Sequence, residues 1–490
     1  MNSVLEGFRH ISKNCPKVKT CFPNISASAS QNKLISARRQ SCLSSDTKHI
    51  HQLKFVTREP LIILRKYSTK MTPLLTVNPK RHLLVDDKLS ISISGLKGRE
   101  KITVHAHMEE DDKKFESFGW FEVGYDGQVD LTKSASCGGT YEGVSSMGLF
   151  WSMVPCPGQM DGIRLMKKNI ETPFKTVLSV HEGYQSLDQL RESAGEILCS
   201  TEIERFYKAQ AVKKVEVTDG RLRGMLYLPP GPGPYPGVID LFGTVGGIVE
   251  FRSALLASRG IASFALPYFR YKDLPASLDE IDLDYFMEAI DYLLKRDDII
   301  QNGVGVVGVS KGGDIALMMA THNPKVRAVV NINGCTFCAS YPMKYSGGDI
   351  PEVRLNMEKM ELIDGRFATK STLDYTPDDI FKVWKHDAKV LNILSEDDMC
   401  SPKECIRLLH SLYPSKKVHN CIVAAYKGAG HLVEPPYTPL CSYSYHKTFD
   451  IFMWWGGKPA DHAFAQEDSW WRILELFHEQ LGQTISHAKL

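Results

Sequence analysis

The chain has 490 residues, of which 43% are hydrophobic and 24% charged, a composition typical of a globular protein long enough for two domains. It contains no run of about 18 apolar residues, so we expect no transmembrane segment. The 12 cysteines are scattered singly apart from Cys335 and Cys338, which favours buried free thiols in a reducing compartment over a metal or redox site.

The net charge of +2 hides an asymmetry between residues 1–70 and the rest of the chain. Residues 1–70 carry 13 Lys+Arg against three Asp+Glu, which leaves 46 basic and 54 acidic residues in the remainder, a net charge of −8. Nothing in that remainder indicates nucleic-acid binding. The basic, serine-rich segment 1–70 is predicted to be a mitochondrial targeting extension. The alternative is an extension that carries no address.

Residues 71–205 are predicted to form an antiparallel β-sandwich domain, because short runs alternate apolar and polar residues and charged turns separate them. The candidate strands are 89–95, 102–108, 120–124, 128–131, 162–168 and 175–183. We find no catalytic constellation in this region. A structural or substrate-covering role is therefore expected for it.

Residues 206–490 are predicted to form an α/β domain, because candidate strands and helices alternate after an initial hairpin at 212–231. The candidate buried strands are 237–243, 303–309, 326–334, 388–398 and 421–431, and the clearest amphipathic helices are 283–296 and 470–482. Residues 340–385 carry fewer apolar side chains and are predicted to form an excursion over the edge of the sheet.

The stretch GVGVVGVSKGG at 303–313 is the centre of the functional interpretation. Its valines are typical of a central parallel strand, and Gly308 to Gly312 then match G-x-S-x-G, the turn that carries a nucleophilic serine between a strand and a helix. Glycine is expected on both sides of Ser310 because strand and helix approach closely there. The pattern alone is weak, but this match lies after a predicted strand and before a predicted helix.

Two further strand ends supply partners for Ser310 in the order Ser, Asp, His. A serine hydroxyl needs a base to accept its proton, and His431 follows the last predicted strand in a glycine-rich loop. A carboxylate must orient that histidine. The local pattern leaves Asp398, Asp397 and Glu396 in competition for this role.

The oxyanion hole is expected to use the backbone N–H of Lys311 and one from the turn at Thr244 and Val245. The Lys311 side chain has two interpretations. It is either a solvated charge, the favoured one, or a contact for an anionic part of the substrate.

From about Thr72 to Gly482 the chain resembles the type-I acyl-CoA thioesterases and bile acid-CoA:amino acid N-acyltransferase. The resemblance lies in several stretches, which are LRGMLYLPPGPGPYPGVIDLFG, YKDLP, GVGVVGVSKGG, SEDD, GAGHLVEPPYTPLC and WGGKPADHAFAQEDSW. It implies an N-terminal β-sandwich, a C-terminal α/β-hydrolase domain and a triad of Ser310, Asp398 and His431. One departure is Val245, where many relatives have glycine.

The resemblance implies hydrolysis of fatty acyl-CoA to free acid and CoA, since the similar N-acyltransferase uses cysteine where this chain has Ser310. No metal or other cofactor is required. We expect a monomer with acyl-CoA as its partner. The alternatives are N-acyl transfer to an amino acid and a non-catalytic acyl-CoA binding protein on the same fold.

Two targeting signals are expected to bring import receptors as partners. The segment 1–70 indicates the mitochondrial matrix, and the tripeptide Ala488-Lys489-Leu490 is a variant of the S-K-L peroxisomal signal. Peroxisomes are therefore the alternative location.

Overall fold

The computed structural model describes residues 72–80, 82–192 and 197–482, and the N-terminal part of these is built from two β-sheets. Its elements are β1 (Leu74–Asn78), β2 (Leu83–Leu84), β3 (Ser90–Ser94), β4 (Lys101–Glu110), β5 (Lys113–Glu122), β6 (Val129–Asp130), α1 (Gly148–Trp151), β7 (Val154–Pro155), β8 (Phe174–Glu182), α2 (Leu187–Glu192) and β9 (Ile197–Phe206). One sheet has the order β1-β3-β6 and the other β2-β9-β8-β4-β5-β7. Every pairing is antiparallel except that of β2 with β9.

Alternating side chains explain why these segments form sheets with one buried face. In β3, Ile91 and Ile93 are fully buried while the serines between them are partly exposed. In β4, Ile102 and Val104 enter the same hydrophobic core as the β3 isoleucines. The predicted antiparallel arrangement of the N-terminal region is therefore confirmed.

The strand predicted at 162–168 is wrong, since this segment lies outside every strand. Its alternating apolar and basic residues reflect buried ion pairs instead of a sheet surface. Lys167 donates to both carboxylate oxygens of Glu110, at 2.8 and 2.7 Å, and Arg164 donates to Glu434 at 2.6 Å. The long strand β9 was not predicted.

The C-terminal part is organised around an eight-stranded sheet in the order β10-β11-β13-β12-β14-β15-β18-β19. Its elements, with those of a smaller sheet, are β10 (Lys213–Val217), β11 (Gly224–Leu228), β12 (Gly237–Leu241), α3 (Phe251–Ser258), β13 (Ala262–Ala265), α4 (Leu283–Leu294), β14 (Val304–Val309), α5 (Lys311–His322), β15 (Val326–Ile332), β16 (Glu361–Ile363), β17 (Arg366–Ala368), β18 (Lys389–Ser395), α6 (Glu404–Leu412), β19 (Cys421–Tyr426), β20 (Tyr443–His446), β21 (Ile451–Trp454) and α7 (Pro459–Leu481).

The six strands from β13 to β19 in this order run parallel, and β10 and β11 add an antiparallel edge. All six residues of β14 are buried, as expected for a parallel strand covered by helices on both faces. The predicted α/β-hydrolase fold is confirmed. Parallel strands bring their carboxyl ends to one edge of the sheet, and the candidate site residues follow β12, β14, β18 and β19 at that edge.

A second, four-stranded sheet in the order β16-β17-β21-β20 stands beside the main sheet, and we call it the small sheet. Its first two strands come from the predicted excursion, and its last two form an antiparallel hairpin that was not predicted. The two halves meet where Phe367 pairs with Met453. Both side chains lie in a separate hydrophobic cluster with Leu432, Ile451 and Trp455.

The N-terminal and C-terminal parts share a core and belong to one compact unit. Asp86 is fully buried and accepts hydrogen bonds from Arg259 at 2.8 and 2.7 Å and from the Trp470 indole at 2.8 Å. These contacts join the loop after β2 to α7 and to the end of α3.

Both predicted targeting signals, at 1–70 and 488–490, lie outside the described residues. Among the helices that the structure describes, none is long and apolar enough to cross a membrane. Cys335 and Cys338 are buried free thiols, as predicted.

Candidate active site

Ser310 lies in the sharp turn between β14 and α5 with a positive φ of 55° and a ψ of −126°. A non-glycine residue adopts such a conformation at a cost of about 1–3 kcal/mol, and such strain clusters at functional sites. The backbone holds it there, since the Ser310 N–H donates to Ile332 O at 2.9 Å and the Gly313 N–H donates to Ser310 O at 2.8 Å.

The glycines on either side of Ser310 are required by close approach of the backbone. A Cβ on Gly308 would lie 2.0 Å from the carbonyl oxygen of Gly312, and a Cβ on Gly312 would lie 2.6 Å from that of Leu241. Neither backbone atom can move aside without breaking the strand–helix junction. The steric reason predicted for the G-x-S-x-G spacing is therefore present.

Asp398 and His431 form a buried hydrogen-bonded pair at the ends of β18 and β19. Asp398 Oδ2 lies 2.8 Å from His431 Nδ1, and the two residues are 4% and 1% exposed. The other carboxylate oxygen, Asp398 Oδ1, accepts the N–H groups of Cys400 at 2.6 Å and Ser401 at 3.0 Å. This second set of bonds fixes the orientation of the carboxylate.

Neither of the two rival acids is hydrogen-bonded to His431 among the described residues. The Glu396 carboxylate pairs with Arg407 instead. Of the three candidates, Asp398 is the one that contacts His431.

The electrostatics of His431 follow from burial and from its two neighbours. Burial by itself lowers the pKa of His431, but the Asp398 carboxylate, with a contribution from Cys400, raises that pKa well above 6.5. The ring stacks on Trp455 with centroids 5.5 Å apart, and the His431 N–H donates to Trp455 O at 2.8 Å. The imidazole therefore has a fixed position and an enhanced basicity.

Asn333, which sequence reasoning missed, connects the serine turn to the histidine loop. It follows directly on Ile332, the residue that accepts the Ser310 N–H. Its Nδ2 donates to His431 O at 2.8 Å and to Ser395 Oγ at 2.9 Å, and its Oδ1 accepts the Ser395 N–H at 2.9 Å. The backbone φ of Asn333 is 51°, a positive value that marks the residue as unusual in the structure. The sequence around Asn333 gives no sign of this conformation.

Ser310 and His431 are not hydrogen-bonded to each other among the described residues. Catalytic hydrogen bonds are often long without substrate and shorten when it binds. Ser310 instead faces a cleft whose wall includes Thr244, Lys311, Cys400, Phe449 and Met453. The cleft thus lies between the carboxyl edge of the main sheet and the small sheet.

The predicted oxyanion turn lies next to the serine. A Cβ on Gly243 would lie 3.2 Å from Ser310 Cβ, so the turn that begins there packs directly on the serine. Within the described part of the chain, the backbone N–H groups of Thr244, Val245 and Lys311 have no acceptor. Thr244 and Lys311 line the cleft that contains Ser310, whereas Val245 lines a neighbouring recess beside Gly246.

The favoured prediction for the Lys311 side chain, a solvated charge, is wrong. Lys311 is 6% exposed, its Nζ donates to Ala339 O at 2.7 Å, and it lies 3.5 Å from Asp314 Oδ2. Burial raises the pKa of Asp314 to about 7, and Lys311 opposes that rise only in part. The pair lines the floor of the cleft.

No group of three or more His, Cys, Asp and Glu side chains in the described ranges is arranged to hold a metal ion. The cleft therefore offers a serine and free backbone N–H donors, and the buried histidine–carboxylate pair lies at the same edge of the sheet. Together these groups are suited to acyl transfer.

Comparison with known proteins identifies the family to which these features belong. Residues 86–219 match the family model "Acyl-CoA thioester hydrolase/BAAT N-terminal region", and residues 281–483 match "BAAT / Acyl-CoA thioester hydrolase C terminal". Acyl-coenzyme A amino acid N-acyltransferase 1 of Mus musculus is 39% identical over 409 residues, 82% of this chain and 97% of the relative. Acyl-coenzyme A thioesterase 2, mitochondrial, of Homo sapiens is 32% identical over 426 residues, 84% of this chain and 85% of the relative.

Acyl-coenzyme A thioesterase 1 of Homo sapiens is also 32% identical, over 84% of this chain and 98% of its own length. Relatives named as N-acyltransferase and as thioesterase thus match nearly the same share of this chain, 82% and 84%. The chain belongs to the acyl-CoA thioester hydrolase/BAAT family.

Proposed function

We propose that the protein is an acyl-CoA thioesterase that forms an acyl-enzyme on Ser310. The observation that supports this most is the strained Ser310 turn at the same sheet edge as the buried Asp398–His431 pair. Residues 206–490 would carry the reaction, and residues 71–205 would help to cover the cleft.

In the proposed first half-reaction, His431 accepts the Ser310 hydroxyl proton while Oγ attacks the thioester carbonyl carbon. The backbone N–H groups of Lys311 and of the Thr244–Val245 turn stabilise the negative oxygen of the tetrahedral intermediate. The carbon–sulfur bond then breaks. CoA leaves as a thiol after taking the proton from His431.

In the second half-reaction, His431 accepts a proton from water, whose oxygen attacks the carbonyl carbon of the Ser310 ester. The bond between that carbon and Ser310 Oγ then breaks, His431 returns the proton to Oγ, and the carboxylic acid leaves. Asp398 keeps the imidazole in the tautomer that can accept a proton at Nε2 and stabilises its protonated form. No cofactor enters either half-reaction.

N-acyl transfer is the second candidate, and the 39% identity to a mouse N-acyltransferase favours it. The chemistry of Ser310 favours hydrolysis, because an acyl-serine oxyester reacts with amines less readily than an acyl-cysteine thioester does. We give this chemistry more weight than the difference between 39% identity to the N-acyltransferase and 32% identity to the human thioesterases.

The test is product analysis with purified full-length protein and a panel of acyl-CoA esters of different chain length, with and without excess glycine or taurine. We expect release of CoA and formation mainly of free acid, even with the amine present. Detection of the N-acyl amino acid as the major product by mass spectrometry would contradict hydrolysis and indicate an N-acyltransferase. Binding without CoA release from any ester would indicate a non-catalytic binding protein.

For the location, we propose the mitochondrial matrix, supported by the basic segment 1–70 and by the similarity to a thioesterase named as mitochondrial. Peroxisomes remain the alternative because of Ala488–Lys489–Leu490. The test is imaging of internally tagged full-length protein beside a form that starts at Met71 and a form without the last three residues. A cytosolic full-length protein would contradict the mitochondrial assignment, and unchanged peroxisomal import without the tripeptide would contradict the other.

A further inference from the structure

The turn that carries Thr244 is held at two points by the hairpin of the small sheet. His446, the last residue of β20, places Nε2 3.1 Å from Thr244 Oγ1. Two residues later, Thr448 donates its hydroxyl to Thr244 O at 3.0 Å. Arg270 in turn donates to Thr448 Oγ1 at 3.0 Å. Both polar groups of Thr244 that could fix its orientation are thus used by one segment, 446–448.

The His446 ring is itself fixed by aromatic contacts. It stacks on Phe449 with centroids 4.5 Å apart and lies 6.0 Å from Trp455. Trp455 stacks on His431 and donates its indole N–H to Ser444 Oγ at 2.8 Å. The hairpin therefore contacts both the proposed base and the proposed oxyanion turn.

Burial lowers the pKa of His446 to about 4, so the imidazole is neutral near neutral pH. A neutral ring offers either a donor or an acceptor at Nε2, and both suit the Thr244 hydroxyl. A neutral His446 also adds no positive charge of its own beside His431.

The turn needs such support because the glycines on both sides of Thr244 and Val245 allow its backbone many conformations. Gly243 precedes Thr244, and Gly246 and Gly247 follow with positive φ values of 72° and 74°. Val245 is 41% exposed and adds little packing. Oxyanion donors stabilise a transition state only when they are already in place, so a turn flanked by glycine must be held from outside.

We propose that His446 is a positioning residue for the reaction, which holds Thr244 and thereby aims the N–H groups of the Thr244–Val245 turn at the developing oxyanion. This inference rests on the proposed function, since it needs a reaction in which Ser310 attacks an acyl carbonyl. His446 touches neither Ser310 nor the substrate in this scheme. Its effect passes entirely through Thr244.

The test compares kcat and KM for acyl-CoA hydrolysis in the full-length wild type, His446→Phe, His446→Gln, Thr244→Val and the double variant His446→Phe/Thr244→Val. Phenylalanine keeps the stacking but removes the hydrogen bond, and glutamine can restore it. Removal of a whole oxyanion donor costs about 10²–10³ in kcat, so we expect His446→Phe to lose about tenfold or more with KM almost unchanged. His446→Gln should recover most of the loss.

The matched control is Tyr445→Phe, which removes an exposed hydroxyl paired with Asp450 from the neighbouring position of β20. Tyr445→Phe should leave kcat unchanged.

Because His446 and Thr244 form one contact, the double variant His446→Phe/Thr244→Val should be no slower than the slower of the two single variants.

A kcat for His446→Phe equal to that of the Tyr445→Phe control would overturn the inference. So would losses that multiply in the double variant, because His446 and Thr244 would then act independently. If His446→Phe does not fold, the kcat of Thr244→Val alone decides the question. A normal kcat for Thr244→Val shows that the hydrogen bond between His446 and Thr244 does not position the turn.

Failure of the proposed function is recognised separately. If the wild type releases no CoA from any ester, the thioesterase assignment is wrong. The same variants can then be compared on p-nitrophenyl butyrate, whose hydrolysis needs the serine and the oxyanion turn but no CoA recognition. Unchanged kcat for His446→Phe on that ester would also overturn the inference.

Discussion

The two walls of the cleft are built in different ways. On the main-sheet side, Ser310 lines the cleft and Asp398 lies at the same sheet edge, after the almost fully buried strands β14 and β18. His431 follows the edge strand β19, whose side chains are only partly buried. The wall on the small sheet is assembled from two segments far apart in the chain, 361–368 and 443–454, which meet at a single pairing of Phe367 with Met453. In the proposed reaction the first wall supplies the reacting groups, while the second contacts His431 through Trp455 and Thr244 through His446.

In this account the main-sheet wall carries the proposed reacting groups, and the small-sheet wall supports them. The interior strands β14 and β18 are held by backbone hydrogen bonds on both sides, so a group that follows their ends needs little further support. The edge strand β19 pairs with β18, and His431 after it also stacks on Trp455. The small sheet has few ladder bonds and a small core of its own. We expect changes on the main-sheet wall to abolish turnover and changes on the small-sheet wall to reduce it.

Ser310→Ala should cause the largest loss, because it removes the nucleophile and almost no packing. We expect the turnover of acyl-CoA to fall by about 10³-fold or more, as for other triad serines. The measurement is CoA release by purified variant whose folding is verified by circular dichroism. A folded variant that kept more than about a tenth of wild-type turnover would remove Ser310 from the reaction.

Asp398→Asn should rank next and Asp397→Asn should have little effect. The amide cannot hold the His431 tautomer or stabilise its positive charge, and the loss should reach about 10²–10⁴ in kcat. Asp397→Asn is the matched control one residue away. The reverse ranking in folded proteins would move the acid role to Asp397.

The pH profile sharpens the account of His431. His431 must be neutral to accept a proton. Burial lowers the pKa of His431, but the Asp398 carboxylate outweighs burial and raises that pKa well above 6.5. The acid limb of kcat/KM for the wild type should therefore have its midpoint above pH 6.5. Asp398→Asn should move that midpoint to lower pH, because burial then acts on the pKa without the opposing carboxylate. A wild-type midpoint at or below 6.5 would contradict the predicted direction.

Phe367→Ala should affect the small-sheet wall alone and give the smallest loss of activity, a few-fold. Phe367 is 5% exposed, and truncating a buried phenylalanine costs about 3 kcal/mol. Hydrogen exchange should quicken in β20 and β21 while β14 stays protected. The control is Phe464→Ala on α7, where the side chain is 65% exposed. Equal quickening in β14 would show that the two walls are not separable.

The difference between the walls also decides what could be predicted from the sequence. The β14 turn was predictable because its valines, glycines and serine stand together in the chain and each has a local steric reason. His431 and the group of three acids were predictable as strand ends. The choice of Asp398 among the three came from the family resemblance, because it depends on which carboxylate reaches His431 across two strands.

The small sheet was not predictable from periodicity, since its strands are three or four residues long and pair with distant partners. For the same reason the roles of His446 and Asn333 had no signal in the sequence. The segment 162–168 was mistaken for a strand because alternation of apolar and basic residues also arises where Arg164 and Lys167 are buried against carboxylates.

The most direct test of the central claim is labelling of the active full-length protein with a fluorophosphonate, which reacts irreversibly with an activated serine. Hydrolysis of acyl-CoA should be lost in proportion to labelling, one phosphonyl group should be added per molecule, and peptide mapping should place it on Ser310. Full activity after prolonged exposure, or inactivation with the label on another residue such as Cys400, would contradict the account.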